Sequence, residues 1–242
     1  SASTPRTSAL YRQIPHRRTN RYAFVAGRDV DRSAREAMSA LALPGVEVIW
    51  IVEPRARREF GDLLVAATRE IVADPTQLAA DHAWFRQRWD TLQQRRDGLT
   101  LDAAGLSNLV TIAGKLLPAQ SPGELGEAWL EATEERHTAT AAAYGIVVVD
   151  DAADAAARLR GGRTLQRVHL WATGAGLALH HMNQITERAD REVVLESPRR
   201  FGPELADRVP SGRQALCAFR IGHPTRPAGL SPRRPVEDVC LS

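Results

Sequence analysis

The sequence predicts a single α+β or mixed α/β domain, and three observations carry that reading. Four short runs have strand character: Val46 to Val52 (VEVIWIV), Leu177 to Met182, Ala215 to Ile221, and Ile146 to Val149 (IVVV). They are mostly apolar, as strands buried on both faces are. Between them lie long stretches with apolar residues at helical spacing, and no repeat of roughly 20–50 residues recurs. Strands so widely separated by helices make a sheet with helical cover.

The elements follow in order. Ser33-Ala-Arg-Glu36 has capping-box spacing and opens a helix with Ala34, Met38 and Leu41 on one face, stopped by Pro44-Gly45. Phe60, Leu63, Leu64, Ala67 and Ile71 define an amphipathic helix over roughly 54–73. Residues 74–98, with Trp84, Phe85 and Trp89 among charges, read as a helix and a loop closed by the turn Asp97-Gly98. Leu106, Leu109, Val110, Ala113, Leu116 and Leu117 mark another amphipathic helix, stopped by Pro118, and 119–123 form a linker. A helix from about Leu125 to Ala142 precedes the second strand. Gly161-Gly162 is expected to separate a short Ala-rich helix from a longer one at 163–175. The longer one buries Leu165, Val168, Ala172 and Ala175, with Gly176 at its C′ position. Residues 225–242, with three prolines and no periodicity, read as an extended arm after a 1–224 domain, and 74–123 as a possible lid.

Composition excludes several classes. With 43% hydrophobic and 25% charged residues in 242, the chain is neither disordered nor collagen-like. No run approaches the roughly 18 apolar residues of a membrane span, and the first 24 residues lack a signal-like apolar stretch. A cytoplasmic protein without membrane association is the expectation. Cys217 and Cys240 have neither disulfide-framework nor zinc spacing. His180-His181 sit adjacent on a strand and point to opposite faces, so they do not share an ion, and no metal site is expected.

Charge is patterned. Of 32 basic residues 31 are arginine, Lys115 being the exception. Arg6, Arg12, Arg17, Arg18, Arg21 and Arg28 precede the first acid, Asp29, and a second basic stretch runs from Arg199 to Arg234. Both ends could converge on one phosphate. Within Arg17-Arg18-Thr19-Asn-Arg21, three guanidinium groups and a hydroxyl lie within five residues, the donors a phosphate ester needs. The bland alternative is a solvated basic arm. A net charge of only +3 and no aromatic stacking series argue against nucleic acid. The GxGxxG, GxxxxGK[ST], HExxH and GxSxG patterns are absent, and no side chain is singled out as a catalytic acid or base.

Arg17-Arg18-Thr19-x-Arg21-x-x-Phe24 resembles the opening Arg-Arg-Ser/Thr-x-Arg-x-Phe pattern of nitroreductase-fold flavoproteins. Ile221-Gly-His-Pro224, Pro227 and Ser231-Pro-Arg-Arg-Pro-Val-Glu-Asp-Val239 resemble the superfamily's closing pattern. Asp97 to Gly105, Lys115-Leu-Leu-Pro118 and Leu170 to Ala178 resemble its Acg-like branch, so the likeness spans roughly 10–241. It implies an α+β sandwich with a mainly antiparallel central sheet covered by helices, and FMN as cofactor. It places Arg17, Arg18 and Thr19 on the phosphate and ribityl chain, Arg21 near the ribityl and pyrimidine edge, and Arg233 and Arg234 back at the phosphate. Asn183 and Gln184 would approach flavin N5 and O4.

The resemblance implies an oxidoreductase that passes a hydride from NAD(P)H through FMN to a nitroaromatic, quinone or similar flat acceptor. A non-catalytic, FMN-sequestering stress protein is the alternative. Relatives close the flavin pocket with a Gln-Pro-Trp segment, whereas Trp50, Trp84, Trp89, Trp129 and Trp171 all lack a preceding Gln-Pro. A homodimer, or a pseudo-dimer completed by another segment, is therefore expected, and Leu230, Val236, Val239 and Leu241 on the arm give it apolar side chains to bury.

Overall fold

The computed structural model describes residues 8–240, so Arg6 and Leu241 lie outside the described residues. The chain forms α1 (Arg32–Ser39), β1 (Val46–Ile51), α2 (Pro54–Ala73), α3 (Pro75–His82), β2 (Phe85–Arg86), α4 (Trp89–Arg95), β3 (Leu99–Thr100), α5 (Asn108–Leu116) and α6 (Pro122–Ala132). A π-helical turn (Thr133–Thr138) leads into β4 (Ala143–Val149), α7 (Ala155–Gly174), β5 (Ala178–His181), α8 (Gln184–Val194), α9 (Phe201–Ala206) and β6 (Gln214–Gly222).

The central sheet has the order β1-β4-β6-β5 and every pairing in it is antiparallel. All seven residues of β4 are buried, as its central place requires. One face packs Val147, Val149, Phe219 and Ile221 against α1 and α7. The other packs Ile146, Val148 and Ala218 against Phe60, Leu64 and Ala67 of α2, with α8 and α9 beside it. The fold is thus the helix-covered antiparallel sandwich expected, and all four predicted strands are present.

The boundaries of α2 match the periodic reading, with Pro54 at its first turn and Glu53 accepting from Ala56 N–H at 2.9 Å. Gly176 ends α7 with φ +72°, and Leu177 N–H bonds back to Ala172 O at 2.8 Å, the six-to-one bond of a Schellman cap.

Four expectations are corrected. Ser33 does not cap α1: Asp31 is the N-cap residue, and Glu36 instead accepts from Arg32 Nε at 2.7 Å. Residues 74–98 hold two short helices and β2, which pairs with β3 in parallel, rather than one helix and a loop. The helix expected to reach Ala142 stops at Ala132 and gives way to the π-helical turn. The linker contributes to it, because Ser121 and Glu124 form a full capping box.

The fourth correction is that α7 runs unbroken through Gly161-Gly162, and Ala175 is exposed beyond its end. The reason is tertiary: β6 is bulged at Leu216, the extra residue opposite the Val147/Val148 step. A Cβ on Gly161 would lie 2.2 Å from Leu216 Cδ2, so the glycine gives the bulged leucine its space without breaking the helix.

The expected amphipathic helix before Pro118 is present as α5, and Leu109, Val110, Ile112, Leu116 and Leu117 are all more than half exposed, so its apolar face is uncovered on this chain. Trp84 and Trp89 are exposed beside the same segment, and Lys115 lies over the Trp89 ring at 5.6 Å.

Candidate functional site

The N-terminal segment is laid along the β5 edge of the sheet. Thr19 bridges Leu179 in parallel, and Asn20 N–H bonds to Leu179 O at 3.0 Å. Further on Phe24 bridges Pro224, so the residues after β6 return beside it. Asn20 Nδ2 donates to Arg226 O at 2.9 Å, and the Arg226 guanidinium stacks over Tyr22 at 4.7 Å.

A single strand residue clasps this segment down. In the cross-sheet row Ile51, Tyr144, Arg220, His180, the side chain of Arg220 is fully buried. Its Nε donates to His180 Nδ1 at 3.1 Å, Nη1 to His137 O at 3.0 Å, and Nη2 to Tyr22 O at 2.8 Å. The guanidinium also sits 4.1 Å from the centre of the Phe24 ring. Burial lowers the pKa of Arg220 to about 9, with Arg136 and Arg21 adding to the effect.

Around it basic groups gather with no ion-paired acid among the described residues. Burial lowers the pKa of Arg21 to about 10, and Arg21 donates to Ala103 O at 3.2 Å. His137 and His180 are held well below the ordinary histidine value, chiefly by burial, so both are neutral bases. Among the described residues no carboxylate pairs with Arg17, Arg18, Arg21, Arg220 or Arg233; the ion pairs lie elsewhere, as at Lys115–Asp102 and Arg86–Asp97.

The predicted residues divide into those the structure brings together and those it does not. Arg17 is half-buried, and its pKa is lowered first by burial and next by the charge of Arg233, which is itself exposed. The two ends of the chain do converge. Arg18 folds back onto Arg17 O at 2.8 Å. His169 on α7 supports both: Arg17 Nη1 donates to its Nδ1 at 3.4 Å, while its Nε2 donates to Arg18 O at 3.1 Å. Arg234 is exposed and enters no ion pair among the described residues.

Asn183 and Gln184 stand where β5 passes into α8. Asn183 Oδ1 accepts from Ala218 N–H at 3.1 Å, which leaves its Nδ2 available. Gln184 is buried and its Oε1 has no hydrogen-bond partner, an unmet demand for a donor. Leu179, beside Thr19, lies two residues before the end of β5 at His181, and Asn183 follows where the chain turns into α8. His180 and His181 diverge as expected, His180 toward His137 and His181 toward His169. Among the described residues no three His, Cys, Asp or Glu side chains gather as a metal-binding group.

Sequence reasoning missed Arg220 and His169. Arg220 did leave a signal, an arginine inside the otherwise apolar run Leu216-Cys-Ala-Phe-Arg-Ile221. A buried cation in a strand needs an explanation. His169 left none, because its partners are 151 and 152 residues away. The segment 74–123 reaches the cluster through Gly105, where φ is +76° and a Cβ would lie 2.4 Å from Arg21 O. Gly105 O also accepts from Arg136 Nη1 at 3.0 Å.

No protein-family model matches the chain, and no curated protein matches it. Solved structures do. A nitroreductase with bound FMN from Desulfitobacterium hafniense is 14% identical with a TM-score of 0.57, covering 98% of this chain and 99% of its own. The FMN-dependent nitroreductase NfnB from Mycobacterium smegmatis, in complex with NADPH, is 18% identical with a TM-score of 0.57, covering 97% of each chain. The NADPH:FMN oxidoreductase from Vibrio harveyi, complexed with NAD+, is 13% identical with a TM-score of 0.51, covering 97% of this chain and 77% of its own. The chain has the nitroreductase fold. Among the described residues no helix is long and apolar enough to cross a membrane.

Proposed function

We propose that this chain is an FMN-dependent oxidoreductase of the nitroreductase type, drawing hydride from NAD(P)H and reducing a flat acceptor such as a nitroaromatic or quinone. The observation that carries the reading is the convergence of the two arginine segments, tied by the Phe24–Pro224 bridge and the Asn20–Arg226 hydrogen bond, so that the Arg233 charge is felt at Arg17 and no carboxylate pairs with either among the described residues. Like charges gathered at partly buried Arg17 and Arg21 without paired counter-charges are costly, and an anionic phosphate would offset that cost. The fold relatives crystallised with FMN or a nicotinamide support the same choice of cofactor and donor.

In this reading Arg17, Arg18, Thr19 and Arg233 hold the phosphate, with Arg234 reaching it from the arm and Arg21 directed to the ribityl and pyrimidine edge. Each charge-assisted bond contributes about 1.5–3 kcal/mol. The segment from Leu179 to Asn183 would then run beside the cofactor, with Asn183 Nδ2 free to donate to the ring and Gln184 Oε1 in need of a donor from it. Bound FMN supplies the hydride-accepting ring; the protein binds it, orients it and tunes its electron affinity. The layer formed by 74–123 excludes water, and a second copy or another segment completes the pocket. Assignment to the Acg-like branch and a cytoplasmic setting, where reduced nicotinamides are at hand, belong to this proposal.

One observation favours the FMN-sequestering alternative: Gly105 and Ala103 seat the 74–123 layer tightly on Arg21 and Arg136. Anaerobic stopped-flow mixing of the flavin-loaded protein with NADH and NADPH separates the two. Rapid bleaching of the flavin supports the oxidoreductase. Flavin that stays oxidised for minutes with both nucleotides, yet is reduced by dithionite, supports storage instead. A purified protein that retains no flavin after incubation with FMN removes both readings.

A further inference from the structure

An open cleft of about 550 Å³ lies between α2 and the π-helical turn, within the size range of small-molecule sites. None of the arginines of the Arg17 and Arg233 segments lines it. Arg57 and Arg58 stand at one end, Arg69 at the other, and Gly61 and Val65 form the floor between them. Arg58, Asp62, Val65 and Arg69 recur at helical spacing on one face of α2. Eleven residues separate the two outer arginines, roughly 16 Å along the helix axis.

The charges here are largely uncommitted. Arg57 is tied down, to Asp29 at 3.4 Å and to Ala142 O. Arg58, Asp62 and Arg69 enter no ion pair among the described residues, although Arg58 and Asp62 are four apart on the helix. Opposite them stands the π-helical turn, a rare element that recurs at functional sites. It contributes Glu134 and Thr138 to the wall.

A buried polar group points at the same place. The Tyr144 side chain is fully buried and its hydroxyl has no hydrogen-bond partner. A Cβ on Gly61 would lie 3.2 Å from that hydroxyl and 3.2 Å from Thr138 Cβ. The glycine therefore thins the cleft floor to a backbone directly over the phenol. Arg57 and Asp62, both lining the cleft, are the charged side chains besides Arg220 whose fields the phenol feels. An unsatisfied hydroxyl in this position is a group awaiting a partner.

We propose that this cleft binds an elongated small molecule carrying a carboxylate or phosphate at each end. Arg57 and Arg58 hold one anionic group and Arg69 the other, while Asp62 and Glu134 face the middle of the ligand. Those two acids exclude a uniformly charged polyanion such as a nucleic acid strand, so the ligand is neutral or cationic between its ends. The site is separate from the flavin reading and stands without it.

The test is calorimetric titration of the full chain at low ionic strength with α,ω-dicarboxylates of increasing length, with α,ω-alkanediol bisphosphates, and with monocarboxylates of matching length. Saturable binding with an optimum length, at least about tenfold tighter than the matching monoanion, is expected from either series. Arg58→Ala and Arg69→Ala should each remove about a factor of ten and leave the affinity of a monoanion. Arg158→Ala, on the exposed face of α7, should change nothing. Both cleft arginines are exposed, so the variants fold, which unchanged melting temperatures will confirm. Equal affinity for mono- and dianions, unaltered affinity in both variants, or no saturable binding overturns the proposal. So does competition by FMN, which would make the cleft part of the flavin site.

Discussion

Arg17 and His169 are 152 residues apart and joined by a 3.4 Å hydrogen bond in which the imidazole is the acceptor. Because Nε2 of the same ring must donate to Arg18 O, the tautomer is fixed: Nδ1 is bare and receives the guanidinium. The helix that covers one face of the sheet thereby aims the arginine that the other end of the chain meets through Arg233.

Arg17→Ala and Arg233→Ala should each weaken FMN binding by roughly 10- to 100-fold, the loss of one or two charge-assisted bonds at about 1.4 kcal/mol per factor of ten. Arg234→Ala should weaken it less, since Arg234, unlike Arg233, is not among the groups that perturb Arg17. His169→Ala should act like a milder Arg17 variant. Arg163→Ala, exposed on α7, is the control. Fluorescence titration with FMN measures all of them, and full occupancy in both Arg17→Ala and Arg233→Ala would refute the site.

Acid should destabilise the flavin-free protein through its largely buried histidines, two of which, His169 and His181, lie against the Arg17 segment. Burial, then neighbouring basic groups, lower His169 to about 3 and His181 to about 4, from an ordinary value of 6.5. The unfolded chain therefore binds more protons than the folded one between those values. The stability they contribute is complete above about pH 6.5 and is lost progressively as pH falls toward 4 and then 3. A bound dianion would raise both values, so the flavin-loaded protein should lose less. Melting temperatures taken from neutral pH to about pH 5, with and without FMN, check this, and parallel curves would contradict it.

Much of this fold was legible because its strongest elements are locally determined. The α2 helix carries its own start at Pro54 and five core residues in register, all buried. The four strands are short apolar runs between clear breaks. What could not be read depends on contacts between distant residues. Gly161 looks like a break until Leu216 is seen to need its space. The α5 face reads as amphipathic, but periodicity does not report which partner covers it. In the candidate site, the arginine segments were visible from their chemistry at both ends. Their support by Arg220 and His169 was not, since neither residue belongs to either segment.

Gly145→Ala should be among the most destabilising single changes. A Cβ there would lie 2.2 Å from the tip of the Phe219 ring, on the paired central strands β4 and β6. The ring also packs edge-on against Trp50 at 5.6 Å, so it has little room to retreat. Overpacking of this kind costs about 1–3 kcal/mol or more. Chemical denaturation will measure it, and a loss below about 0.5 kcal/mol would show that the ring can move.

Assembly gives the last prediction. On α5 and its C-terminal flank, Leu109, Val110, Ile112, Leu116 and Leu117 face outward, and on the arm Leu230, Val236 and Val239 do the same. The arm meets this layer where Gly229 passes Asp102, which is itself ion-paired to Lys115 of α5 at 2.7 Å. Exposed apolar sets on adjoining segments mark an interaction surface. A second copy seated on them would cover both, and a stable interface of that kind buries roughly 1,200–2,000 Å² or more. Light scattering at micromolar concentration should therefore report well above the 26.5 kDa of one chain. Leu109→Asp with Leu116→Asp should shift the protein toward monomer with little loss of secondary structure, because neither side chain is buried on its own chain. If the pocket is completed across that interface, the same variant should also release FMN. A wild-type monomer that holds FMN would instead mean that the pocket closes within one chain, through the 74–123 layer seated on Arg21.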